Sequence, residues 1–170
     1  MPPLIRILSL ITALVSAGCA DLSPSQPALP EGPTAILVDS HQVAGSRRTD
    51  IFFVATVDEK AVYTSYAGAY GRNLGFGTRM AVQPDDTHRL VPAGRPTRLV
   101  IVAKTYLAAP VLHLFEPSYE IKGKVEFTPE VDVAYVVKGD LSETYQAVWL
   151  EEQTTGRVIG AKFEKRVPQK

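Results

Sequence analysis

The chain has 170 residues, with 18 basic and 18 acidic side chains and a single cysteine. This charge balance argues against a nucleic-acid partner, which requires a basic excess. A lone cysteine excludes a framework of intrachain disulfides. Hydrophobic residues make up 45% of the chain, enough for one packed core, so we expect one domain with its connecting segments.

The first 18 residues have the features of a secretory signal peptide. Arg6 supplies a positive charge, and residues 7–15 form an apolar region too short to span a bilayer, which takes about 20 residues. Small side chains follow and lead directly to Cys19. The lone cysteine therefore lies at the expected end of a cleaved leader.

Small residues followed by cysteine resemble the lipobox of bacterial lipoproteins. In that family the cysteine sulfur is lipidated and the leader is cut before it, which implies a signal peptide at 1–18 and a lipid anchor on Cys19. Ser16 departs from the usual leucine. Ala20, where an aspartate would imply inner-membrane retention, implies by the same resemblance delivery to the cell outer membrane. We further expect the domain to face the periplasm. The alternative is an ordinary signal peptide cut near Ala17 or Ala20.

Residues 19–33 are predicted to form a tether. Prolines recur every third residue, at Pro24, Pro27, Pro30 and Pro33. Proline fixes φ and lacks an amide donor, so this segment favours an extended, semi-rigid spacer with a reach on the order of 40 Å. Residues 34–170 then form the folded domain.

The domain is predicted to be all-β, because turn residues separate short segments rich in β-branched and aromatic residues. We expect about eight or nine strands, drawn from residues 35–39, 50–57, 61–66, 78–83, 89–91, 98–106, 111–115, 119–128, 133–138, 144–151 and 157–165. This spacing favours an antiparallel β-sandwich of the immunoglobulin or transthyretin kind over a barrel.

Alternation within the strands predicts which side chains are buried. In residues 119–128, Gly123 and Val125 belong to the face predicted to point inward. His113 lies in an alternating apolar segment and is predicted to point into or beside the core. Trp149 is predicted to be a large core anchor.

From about Arg89 onward the chain is similar to an uncharacterised group of proteobacterial lipoproteins. Three phrases carry the resemblance: VPAGRPTRLVI at 91–101, KVEFTPEVDVAYVVKGDL at 124–141 and AVWLEEQTTGRVIG at 147–160. The first also resembles the small sandwich domains called PEGA-like. The resemblance covers roughly half of the chain and implies a fold, with no catalytic residue to carry over.

Catalytic patterns are not evident in the sequence. His41, His88 and His113 do not occur at metal-ligand spacing, and neither a G-x-S-x-G turn nor a glycine-rich phosphate loop is present. We therefore predict no catalytic residue, no metal and no cofactor.

Residues 63–80 have the composition of a contact surface, with tyrosines and arginines among glycines. The candidate partner-binding residues are Tyr66, Tyr70, Arg72, Phe76 and Arg79. The alternative is that the aromatic side chains fill the core and the glycines permit turns.

Together these features predict a non-enzymatic envelope lipoprotein, whose tethered sandwich binds another envelope protein or serves as an accessory subunit of an envelope assembly. A second hypothesis is a carrier of a small apolar ligand, with apolar runs such as residues 99–103 lining a pocket. A third is a hydrolase or metal-dependent enzyme.

Overall fold

A computed structural model describes residues 30–73 and 87–168. Within these residues two β-sheets pack face to face, which confirms the predicted all-β sandwich. In chain order the elements are β1 Thr34–Val38, β2 Ser40–Val43, β3 Arg48–Val57, β4 Lys60–Ala61, α1 Ser65–Asn73, β5 His88–Pro92, β6 Thr97–Leu107, a 3₁₀ helix at Pro110–Leu114, β7 Glu120–Phe127, β8 Ala134–Leu141, β9 Tyr145–Glu152 and β10 Val158–Arg166. The described strands thus number ten, slightly more than predicted.

The first sheet has the strand order β10-β9-β8-β1-β5. Its neighbours are antiparallel except β1 and β8, which run parallel with Leu37 opposite Tyr135. This pair departs from the predicted antiparallel arrangement. The connection after β7 crosses from the second sheet to the first and places Asp132 beside Thr34. The Asp132 N–H donates to the Thr34 carbonyl at 2.9 Å. Because β8 therefore starts at the same end as β1, the two strands point the same way.

The second sheet has the order β2-β3-β6-β7, with β4 paired to β3. The long β3–β6 pair forms its centre and runs from Arg48 opposite Leu107 to Val57 opposite Leu99. After β1 the chain passes at Asp39 from the first sheet into β2 of the second. One polar residue therefore lies at the crossing between the two sheets.

The core lies between the sheets and is built from alternating side chains. Leu37, Val137 and Leu150 of the first sheet pack against Phe52 and Ile101 of the second. Burying each such side chain stabilises the fold by about 1.5–3 kcal/mol.

The alternation predicted for residues 119–128 is confirmed in β7. Gly123 and Val125 are buried, while Lys122 and Lys124 are exposed. The space over Gly123 is filled by the ring of Phe163 from β10, so a side chain at position 123 would collide with that ring.

The sandwich has two distinct ends. At the proximal end, where β1 begins, the Ala93 N–H donates to the Pro33 carbonyl at 2.9 Å and the Gly94 N–H to the Pro129 carbonyl at 2.8 Å. At the distal end, where β6 finishes, the Ala108 N–H donates to the Arg47 carbonyl at 2.9 Å. The 3₁₀ helix follows β6, so it lies at the end opposite the start of β1.

The strand predicted at residues 61–66 is wrong. β4 contains only Lys60 and Ala61, and from Ser65 the chain forms the helix α1. The Thr64 side chain accepts a hydrogen bond from the Ala67 N–H at 3.0 Å, which satisfies an otherwise unpaired amide of the first turn. This capping favours a helix over continued pairing with β3. The strand predicted at 78–83 lies outside the described residues.

The strand predicted at residues 111–115 is also wrong. The Leu112 N–H donates to the Ala109 carbonyl and the Phe115 N–H to the Leu112 carbonyl, both at 3.0 Å, which are local bonds of a 3₁₀ helix rather than bonds of a sheet. His113 is consequently exposed, contrary to the prediction that it points into or beside the core.

Trp149 is half-buried on the outer face of the first sheet, so its prediction as a core anchor is wrong. Val148 and Leu150 take the inward positions of β9, and a residue between them must face outward. The Trp149 indole donates to a Glu151 carboxylate oxygen at 2.9 Å, and the Lys162 ammonium lies 4.2 Å from the centre of its ring.

Candidate functional site

The helix α1 lies on the outer face of the second sheet, and its first turn is fixed by a buried carboxylate. The Ser65 N–H donates to Oδ2 of Asp39 at 3.0 Å, and Oδ1 of the same residue accepts from the Val54 N–H at 3.1 Å. A carboxylate at a helix N-terminus is also favoured by the helix dipole. Asp39 therefore ties the start of the helix to the centre of β3.

Arg89 neutralises the buried Asp39. Its guanidinium donates to Oδ2 of Asp39 at 2.9 Å and to the Tyr63 carbonyl at 3.0 Å. The Asp39 side chain is completely buried and that of Arg89 nearly so. This ion pair joins β5 of the first sheet to the chain segment that leads into α1.

Tyr66 holds the helix against the sheet. Its ring packs against Phe53, with ring centres 5.7 Å apart, and against Tyr106, with centres 5.6 Å apart. The Lys104 ammonium lies 5.1 Å from the centre of the Tyr66 ring. Burial raises the pKa of the Tyr66 hydroxyl, and the nearby Lys104 charge opposes that rise.

A small ionic network positions Lys104 beneath this ring. Its ammonium and that of Lys122 each lie 2.8 Å from a Glu120 carboxylate oxygen. The hydrogen bond to Glu120 raises the pKa of Lys104, and the hydrogen bonds from the two lysines lower the pKa of Glu120. Lys104 and Glu120 are therefore both charged near neutral pH.

Two tyrosines extend from this fixed base. The side chains of Tyr63, just before the helix, and Tyr70, within it, are each 53% exposed, and Arg72 in the last turn is also exposed. We call Tyr63, Tyr70 and Arg72 the helix surface. Large aromatic groups on a fixed backbone are typical of contact surfaces, because little side-chain entropy is lost on binding.

The predicted contact residues divide into three groups. Tyr66 packs largely against the sheet, whereas Tyr70 and Arg72 lie on the exposed helix surface. Phe76, Arg79 and the predicted lipidation site Cys19 lie outside the described residues. Tyr63 was not among the predicted contacts, although it opens the same tyrosine-rich segment.

A second apolar surface lies at the distal end and was missed by the sequence reasoning. Val111, Leu114 and Phe115 are 57%, 77% and 80% exposed. We call these three residues the distal tip. Assigning the segment to a strand placed alternate side chains in the core. The available signal was Pro110, because proline favours the first position of a helix.

An open cleft of about 350 Å³ lies at the proximal end. Four of its lining residues are charged, namely Asp58, Glu59, Arg98 and Glu126. The Arg98 guanidinium lies 3.1 Å from the Glu126 carboxylate, so these two charges neutralise each other, while Asp58 and Glu59 add negative charge to the lining. The cleft is too polar for the apolar ligand of the carrier hypothesis.

The histidines lie on three separate elements, His41 on β2, His88 on β5 and His113 on the 3₁₀ helix. Within residues 30–73 and 87–168, no group of three or more histidine, cysteine, aspartate or glutamate side chains could hold a metal ion. In the same part of the chain, no helix is long and apolar enough to cross a membrane.

Comparison with known proteins gives no relative. No protein-family model, no curated protein and no solved structure matches this chain.

Proposed function

We propose that this protein is a non-enzymatic lipoprotein of the bacterial cell envelope, anchored to the outer membrane through Cys19, and that its sandwich domain binds another envelope protein through the helix surface. The observation that carries the binding role is the pair of exposed tyrosines, Tyr63 and Tyr70, on either side of a helix start that a buried ion pair fixes.

The rigidity of this surface supports the proposal. The Tyr63 carbonyl accepts a hydrogen bond from Arg89, and Tyr66 is held between two aromatic rings and Lys104. The backbone beneath Tyr70 is therefore largely ordered before any partner arrives, which lowers the entropy lost on association. Tyrosine and arginine are among the residue types most enriched in energetically dominant contacts.

The proposed membrane anchoring is supported by the sequence alone. The lipobox-like residues before Cys19 and the proline-rich segment after it would place the domain within about 40 Å of a membrane. Confinement near a membrane raises the effective concentration of a membrane-bound partner, so a surface of modest size suffices for binding.

The helix surface is tested by in-cell photo-crosslinking. A photoreactive phenylalanine analogue at position 70 of the full chain should form one discrete adduct with an envelope protein. The double variant Tyr70→Ala with Arg72→Ala is then compared with the unchanged chain as a competitor for that envelope protein. The variant should bind roughly 30-fold less of it, the effect of losing about 2 kcal/mol of contact energy. The melting temperature should change little, because both side chains are exposed.

The matched control is the same analogue at Val158, an exposed apolar position on β10 of the other sheet. Equal adducts from positions 70 and 158 would mean that crosslinking reports only crowding. A large loss of melting temperature in the double variant would assign Tyr70 and Arg72 to the packing of the domain instead.

The lipid anchor is tested by metabolic labelling. Cells fed an alkyne-tagged palmitate should incorporate the label into the full chain, and Cys19→Ala should abolish incorporation because no other thiol exists in the sequence. Cys19→Ala should also release the protein from the membrane fraction, since stable anchoring requires the acyl chains. Label retained by Cys19→Ala would contradict this part of the proposal.

A further inference from the structure

We infer that the distal tip, Val111, Leu114 and Phe115, inserts into the surface of a lipid bilayer and so fixes the orientation of the domain. This inference rests on the proposed membrane anchor only for delivery, and it assigns a separate surface from the one proposed to bind protein. The tip follows β6 at the distal end, on a helical turn whose hydrogen bonds are local.

The exposure of the tip is unusual for a water-facing loop. Phe115 and Leu114 are the two most exposed large apolar side chains in the described part of the chain, and Val111 lies on the same short helix. Leu112 between them is buried and holds the turn against the domain. The other three are consequently presented outward on a supported backbone.

The size of the tip favours a bilayer over a protein. Three side chains fall well short of the roughly 800 Å² that each partner contributes to a stable protein interface. The same area requirement argues against a second copy of this chain as the partner of the tip. A bilayer needs no complementary pocket, because apolar side chains enter the boundary between headgroups and acyl chains directly.

The length of the chain before the domain is compatible with this placement. Strand β6 has 11 residues, so the sandwich is about 36 Å long at roughly 3.3 Å per residue. Residues 20–29, which precede the described residues, can reach about 31 Å at roughly 3.1 Å per residue. A spacer of that reach spans most of the length of the domain, so the distal tip can touch the membrane that holds Cys19 when the domain lies inclined to it.

The residues beside the tip are also compatible with a headgroup layer. Arg47 is exposed in the turn between β2 and β3, and its carbonyl accepts a hydrogen bond from Ala108 just before the 3₁₀ helix. An exposed guanidinium at the same end of the domain as the tip can contact lipid phosphates while the apolar side chains enter the bilayer.

Site-specific fluorescence tests the inference. An environment-sensitive dye is attached at Phe115→Cys in the full chain, and a matched sample carries it at Val131→Cys, an exposed apolar position at the proximal end. Both are incubated with phosphatidylglycerol vesicles that contain chain-labelled quenching lipids. The dye at 115 should enter the bilayer and be quenched by the chain-labelled lipids. Adding Leu114→Asp should lower the partitioning of the protein into vesicles at least about tenfold. The dye at 131 should stay in water.

The outcomes separate this inference from the proposed function. Flotation with the vesicles reports the anchor, whereas quenching reports the tip. Quenching of the dye at 115 in the Cys19→Ala chain, measured at high lipid concentration, reports insertion of the tip in the absence of an anchor. A dye at 115 that stays in water in both forms overturns insertion. Equal quenching at 115 and 131 also overturns it, as does a dye at 115 that is shielded without vesicles, which would indicate a protein contact.

Discussion

Replacing Asp39 with asparagine should lower the free energy of unfolding by about 3 kcal/mol, because it leaves the Arg89 guanidinium buried without a counter-charge. The asparagine amide also cannot accept at both positions, although the Val54 and Ser65 amides each need an acceptor. Urea denaturation followed by circular dichroism measures the loss. The denaturation slope should stay unchanged if the native state keeps its compactness.

The matched control is Asp140→Asn, which makes the same chemical change at an exposed position of β8. It should alter the free energy of unfolding by less than about 0.5 kcal/mol. A second variant, Asp39→Asn with Arg89→Met, removes the unpaired charge and should recover part of the loss. If Asp39→Asn is as mild as the control, the ion pair does not secure the crossing between the sheets.

The same ion pair explains why α1 was missed in the sequence. The segment SYAGAYGRN contains two glycines and two tyrosines, so it lacks the strong helix formers that mark a helix by propensity. What supports the helix is distant in sequence, since Asp39 lies 26 residues before the Ser65 amide that it accepts from. A single aspartate after the apolar run AILV carries no local sign of that role.

The sandwich itself could be predicted because its signals are local. Alternation in β7 identified the inward positions of Gly123 and Val125, and the strand predicted at 144–151 matches β9 to within one residue at each end. The strand predicted at 133–138 stopped too early, because Gly139 lies inside β8, which continues to Leu141. Register carries no such local mark. Shifting β9 by one residue exchanges Trp149 with its neighbours, and only the pairing with β8 decides which side chain faces inward.

The two candidate surfaces show the same contrast between features with a local sequence signal and features set by distant contacts. A tyrosine-rich composition was enough to single out Tyr70 and Arg72 as candidates, and both are exposed, although the helix α1 that carries them was not predicted. The distal tip was not identified, because alternation in the segment VLHLF also fits a strand. Its exposure follows from the absence of a strand partner at Pro110–Leu114, which is a property of the topology.

Gly139→Ala should lower the free energy of unfolding by about 2–3 kcal/mol through overpacking. A methyl group on its Cα would lie 2.6 Å from Cδ1 of the buried Phe52 and 2.8 Å from the backbone carbonyl oxygen of Ala147. The ring can rotate only within a filled core, and the carbonyl belongs to the neighbouring strand β9, so the two sheets or the two strands must separate. Thermal unfolding followed by circular dichroism measures the loss.

Gly71→Ala is the matched control, because nothing lies within 4 Å of the added methyl group and the residue is in α1. That variant should be stabilised by about 0.5–1 kcal/mol, since alanine loses less backbone entropy than glycine in a helix. Adding Phe52→Leu to Gly139→Ala should recover only part of the loss, because the carbonyl of Ala147 still blocks the methyl group. Full recovery would mean that the ring alone limits the space, and no loss in Gly139→Ala would mean that the sheets tolerate a wider separation at this point.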